Sequence, residues 1–142
     1  MSGGMELVDD EAGPLVEYRF FDSSVPPPYH RSYTLLVRPA EARVIVDSYG
    51  DILHDERIAI DTADWERCSL AAAALAGLAD GVFDDGFTGG TADRLIVRDH
   101  DGQVVVNRFE SHRGIEPAES PLRAPVAALL ERFDLARLRA TD

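Results

Sequence analysis

The sequence predicts an α+β fold: a mainly antiparallel sheet of about six strands with two helices packed on one face, in the order ββββ-α-ββ-α. Three observations lead there. Six short segments alternate apolar and polar residues with a period of two, and two longer ones repeat apolar residues at helical spacing. The links between the strands ahead of the first helix are short, which suits antiparallel neighbours and leaves no room for crossovers.

Residues 1–13 read as a flexible acidic leader, followed by a single domain over residues 14–142. The first strand is PLVEYRFFD, where Val16, Tyr18 and Phe20 alternate with Glu17 and Arg19. Pro26-Pro27-Pro28-Tyr29 interrupts the pattern as a stiff polyproline II entry to the second strand, RSYTLLVRP, which puts Tyr33, Leu35 and Val37 on one face. Pro39 ends it, and RVIVDSY follows with Val44 and Val46 opposed to Arg43, Ile45 and Asp47, so these two strands make a hairpin. The fourth, ILHDERIAI, is polar enough to be an edge.

Residues 61–79, DTADWERCSLAAAALAGLA, are the first helix. Asp61 caps it, Asp64 stands three residues on, and both suit the positive end of the helix dipole. Trp65, Cys68, Ala72, Leu75 and Ala79 form one stripe, widened by Ala71 and Leu78, that should lie on the sheet. The glycine-rich stretch DGVFDDGFTGGTAD reads as a loop, and RLIVRD, the turn HDG and QVVVNRFE read as a second hairpin. The last helix runs from about Pro125 to Leu138, with Val126, Leu129, Leu130 and Phe133 on its apolar face.

At 45% apolar and 28% charged residues, the composition is that of a soluble globular chain. No stretch approaches the roughly 18 apolar residues of a membrane span, and the cytoplasm is the expected compartment. All 14 basic residues are arginine, which together with abundant alanine, valine and glycine suggests a GC-rich bacterial origin. The net charge is −12, and the whole excess lies in residues 1–93, which hold 18 of the 26 acids and 6 of the arginines. Such a chain repels phosphate backbones and anionic lipid, so neither nucleic acid nor membrane is an expected partner.

Motifs for chemistry are missing from the pattern. His30, His54, His100 and His112 have no metal-ligand spacing, and the one cysteine, Cys68, falls on the apolar stripe where a thiol is inert. GFTGGTADR lacks the GK[ST] ending of a phosphate loop, leads into a strand and is flanked by Asp84, Asp85 and Asp93. No catalytic residue, cofactor or metal site is therefore assigned.

What remains is charge. Asp51, Asp55, Glu56, Asp61, Asp64 and Glu66 crowd the junction of the fourth strand and first helix, opposed there only by Arg57 and Arg67. These six are the expected binding residues for a basic protein partner, since complementary charge speeds association and sets register. Bacterial inhibitors and immunity-type proteins are similar in size, acidity and lack of a catalytic motif. Two other classes stay open: a ligand-binding protein or enzyme with a pocket between sheet and helices, and a structural homo-oligomer, such as a homodimer, joined through a strand edge.

Overall fold

β1 (Leu15–Asp22), β2 (Ser32–Arg38), β3 (Glu41–Ser48), β4 (Asp51–Ala59), β5 (Thr91–Arg98) and β6 (Val104–His112) form one antiparallel sheet in the order β4-β3-β2-β1-β5-β6. The computed structural model describes residues 13–22, 32–48, 51–77, 91–112 and 121–138. Both expected hairpins, β2 with β3 and β5 with β6, are present, and β4 is an edge strand. β1 is flanked by β2 and β5, so its apolar residues Leu15, Val16, Tyr18 and Phe20 are all buried, whereas the polar β4 is exposed along most of its length.

The pleat sends alternate residues to opposite faces. On the helix side, cross-strand rows such as Val44, Leu35, Tyr18 and Leu95 build the core, which Cys68 and Ala72 of the first helix and Leu122, Val126, Leu129 and Leu130 of the C-terminal segment cover. The other side, the open face, carries a small apolar cluster of Leu15, Leu36 and Ile45 among charged side chains.

Helix α1 (Thr62–Ala73) begins at the expected cap. The Asp61 carboxylate accepts from the Asp64 N–H at 2.8 Å, and the Asp64 carboxylate accepts from the Asp61 N–H at 3.3 Å. Trp65 packs against the core as the stripe requires, partly buried at its rim, so its truncation should cost less than emptying a fully buried site; one expectation needs correction, because Ala71 faces solvent. The buried line is Asp64, Cys68 and Ala72. α1 tightens into a 3-10 turn at Ala74–Gly77, where glycine's poor helix propensity weakens the last turn; Leu78 and Ala79 lie outside the described residues.

The last helix is also not continuous. A 3-10 turn at Ala124–Val126 leads into α2 (Ala127–Leu130), and α3 (Leu135–Leu138) follows after a break. The N–H groups of Arg132 and Phe133 bond three residues back, to Leu129 and Leu130, which closes α2. Geometry explains the break: Phe133 and Leu138 are five residues apart, about 140° around a straight helix, yet both are buried. The break at Asp134 lets both side chains reach the sheet.

Candidate functional site

The six acids expected to form one patch are divided by the fold. Only Asp55 lies on the open face, where Arg43 clamps it with two hydrogen bonds of 2.8 and 2.6 Å and holds its carboxyl below the usual range. The register places Glu56 on the helix side of β4, opposite Val44, and pairs Asp51 with Ser48 at the start of the strand. Asp61 and Glu66 are exposed at the first turns of α1, about 30 Å along β4 from Asp51 at the rise of a strand. Because α1 packs over β1, β5 and β6 while β4 is the opposite edge of the sheet, they make a broken acidic strip, not a compact patch.

Asp64 does not belong to that strip. It is buried and accepts hydrogen bonds from Arg132 at 2.8 and 2.9 Å and from Arg67 at 2.6 Å, which ties the start of α1 to the C-terminal segment. The Arg132 hydrogen bonds are the main reason its carboxyl titrates below the ordinary value of 3.8; burial opposes them, while the Asp61 N–H and the charges of Arg132 and Arg67 add to them. A depressed folded-state value means a contribution to stability that is complete above about pH 4 and lost as the pH falls through the folded value. The thermal midpoint should therefore drop on acidification below about pH 4, and Arg132→Gln should flatten that part of the curve. Melting both proteins across an acid series checks this.

The open face is the feature that sequence reading missed. In register across the sheet it carries Arg57, Arg43, Arg38, Arg19, Arg94 and Arg98 against Glu17, Glu41, Asp47 and Asp55, a surplus of two positive charges on a chain of net −12. Arg19 reaches across β2 to Asp47 on β3, with bonds of 3.0 and 3.2 Å, and donates to Thr34 at 2.7 Å on the way. Its guanidinium also lies 4.8 Å from the Phe21 ring centre, Phe21 meets Phe109 at 6.1 Å, and Arg94 lies 5.6 Å from the Phe109 ring. Arg57 is 3.9 Å from Glu41. The signal was available, because these arginines occupy the alternate positions between core residues, but only the strand order shows that they share a face.

On the helix side, Asp93 corrects another expectation. It belongs to β5 and not to the glycine-rich loop, it is wholly buried, and the Tyr18 hydroxyl donates to it at 3.0 Å. Burial chiefly, then the neighbouring Tyr33 and Asp93, push the Tyr18 phenol far above its ordinary range, so it stays a donor. The Tyr33 hydroxyl accepts from Arg123 at 3.2 Å, and the Phe20 and Tyr33 rings meet at 5.3 Å. Buried Arg108 completes this polar row. Burial raises the Cys68 thiol to about 12, which leaves it a packing group.

Among the described residues, no three histidine, cysteine or acidic side chains gather as a metal would require, and no helix is long and apolar enough to cross a membrane. His54 and His100 are exposed on β4 and in the turn after β5. Pro26-Pro27-Pro28-Tyr29, His30, Asp84 and Asp85 lie outside the described residues.

Both edge strands are interrupted. Leu53 on β4 and Val105 on β6 are extra residues at shifts of register, exposed beside Ile52 and Val104. Such bulges bend an edge away from the straight ladder that strand addition needs. Comparison with protein-family models, with curated proteins and with solved structures finds no match, so the functional reading rests on these residues.

Proposed function

We propose that the protein is a non-enzymatic interaction protein whose acidic flank docks a basic protein partner, in the manner of a bacterial inhibitor or immunity-type protein. One observation carries this reading: along β4 and α1 the arginines close in sequence or register to the acids are turned elsewhere. Arg43 and Arg57 lie on the open face with Asp55 and Glu41, and Arg67 is held by Asp64. Asp51, Asp61 and Glu66 are left exposed with no ion pair among the described residues. Uncompensated exposed charge of one sign steers a partner of the other sign and accelerates encounter by about tenfold or more at low salt.

The test begins with capture of the partner from the source cell at low salt and its identification by mass spectrometry. Association rates are then measured against salt for the wild type and for the double variant Asp51→Lys/Glu66→Lys, which spares the Asp61–Asp64 cap. The expected result is a rate that falls steeply as salt rises, because exposed charges are screened beyond about 8 Å at physiological ionic strength, together with a slower rate and shallower slope in the variant. An unchanged rate and slope would reduce the strip to a solvated edge.

A further inference from the structure

We propose that the open face is a second binding surface, and that Arg38, Arg94 and Arg98 around β1 receive an acidic peptide segment from a partner protein. The six arginines of that face are unequally engaged. Arg19 and Arg43 are clamped by Asp47 and Asp55, and Arg57 stands near Glu41. Arg38, Arg94 and Arg98 have no ion pair within salt-bridge distance among the described residues. The positive surplus of the face is thus concentrated on the three adjacent strands β2, β1 and β5.

Their placement is regular. Arg98 is directly opposite Leu15 on one side of β1, and Arg38, one step beyond the Val16 and Val37 pair, is opposite it on the other. The two backbones are about 9–10 Å apart at two strand spacings, so both side chains can reach a group lying over Leu15. Arg94 is directly opposite Arg19, four residues further along β1, and is exposed beside the half-buried ring of Phe109. Neither guanidinium is fully satisfied within the protein: Nη2 of Arg38 and Nε of Arg98 have no hydrogen-bond partner, while Nη1 of Arg98 donates to the Gly102 carbonyl at 3.1 Å. A buried N–H that goes unanswered is costly, and a carboxylate is the acceptor that suits a guanidinium best. Glu17 lies among these arginines on β1: burial raises its carboxyl above the ordinary value and the charges of Arg98, Arg19 and Arg94 oppose that, yet none of them comes within salt-bridge distance of it.

The chemistry favours a peptide over a nucleic acid. The face carries a surplus of only two charges, and the chain beyond it is acidic, so a polyanion with one charge per roughly 1.7 Å would be repelled wherever it extended past the sheet. Ile96 stands between Arg94 and Arg98 on β5, and Phe21, Phe109 and Val104 flank the arginines, all partly or largely exposed. A segment bearing a few carboxylates beside an apolar side chain matches both features. This surface is on the other side of the sheet from most of the acidic strip, so the two proposals can fail separately.

The test titrates a fluorescent peptide of alternating glutamate and leucine residues into the protein and follows anisotropy at low and at physiological salt, with the glutamine analogue, inorganic phosphate and a single-stranded oligonucleotide as the other probes. Binding of the acidic peptide alone, weakened by salt and reduced about tenfold or more in Arg94→Gln/Arg98→Gln, is the expected outcome. Equal binding of the glutamine analogue, tighter binding of phosphate or the oligonucleotide, no binding of any probe, or an unchanged affinity in the double variant would each overturn it. Arg94→Gln alone keeps the test decisive if the double variant unfolds, since Arg94 is exposed and its loss should still weaken the acidic peptide while the thermal midpoint holds. Asp51→Lys/Glu66→Lys should leave this peptide's affinity within about twofold, and a larger loss would also overturn the assignment.

Discussion

Leu35→Ala is expected to lower the free energy of unfolding by about 2–5 kcal/mol, the range for emptying a fully buried leucine site. Leu35 has no exposure and sits in β2 between Val44 and Tyr18, with hydrogen-bonded strands on both sides. Those ladders keep the neighbours from collapsing into the space, so the cost should fall in the upper half of that range. Total stability for a domain is about 5–15 kcal/mol, which makes this single change a large fraction of the whole. The thermal midpoint should drop by roughly 10 °C, on the scale for chains near 150 residues. Leu70→Ala is the contrast: Leu70 is 72% exposed on α1, and its replacement should change stability by no more than about 0.5 kcal/mol. Urea unfolding of the two variants beside the wild type decides the matter. A loss below about 1 kcal/mol for Leu35→Ala would mean that the helices do not pack on this row.

How much of this architecture was legible can be read from single residues. Val16, Tyr18 and Phe20 alternate with Glu17 and Arg19 because one face of β1 is core and the other carries charge, and that contrast survives in any register. The Asp61–Asp64 cap is local in sequence, so it too could be read directly. The β1–β5 pairing could not. It joins residues about 75 positions apart, with nothing in either strand to say which partner it takes, and it alone brings Arg94 and Arg98 beside Arg19 and Asp93 beneath Tyr18.

The acidic set shows the same limit from the other side. Six acids within sixteen residues look like one feature, but a strand sends neighbours to opposite faces, so Asp55 and Glu56 part company at once. Asp64 leaves the set for a different reason, because Arg132 comes to it from 68 positions away. The C-terminal break follows from packing as well: the apolar period favours a continuous helix, and the burial of both Phe133 and Leu138 overrides it.

The second large effect belongs to the Tyr18–Asp93 pair. Tyr18→Phe keeps the buried ring and its contact with Tyr33 at 6.2 Å, and removes only the hydroxyl that donates to Asp93. Hydrogen bonds to a carboxylate contribute about 1.5–3 kcal/mol, and a buried acceptor that loses a donor bears the cost of its own desolvation, so a loss of about that size is expected. Tyr33→Phe is the informative comparison. Its hydroxyl is bonded by Arg123, which is only partly buried, so the guanidinium can turn to water and the loss should be smaller, about 1 kcal/mol or less. The difference between the two phenols separates a hydrogen bond sealed in the core from one at its margin, although both sit on adjacent strands of the same sheet. A double-mutant cycle of Tyr18→Phe with Asp93→Ala isolates the pair itself, and a coupling of about 0.5–3 kcal/mol is expected for groups in contact. Coupling near zero, with an unchanged dependence on urea, would show that Asp93 does not draw on Tyr18, and that the polar row is held by Arg108 and its neighbours instead.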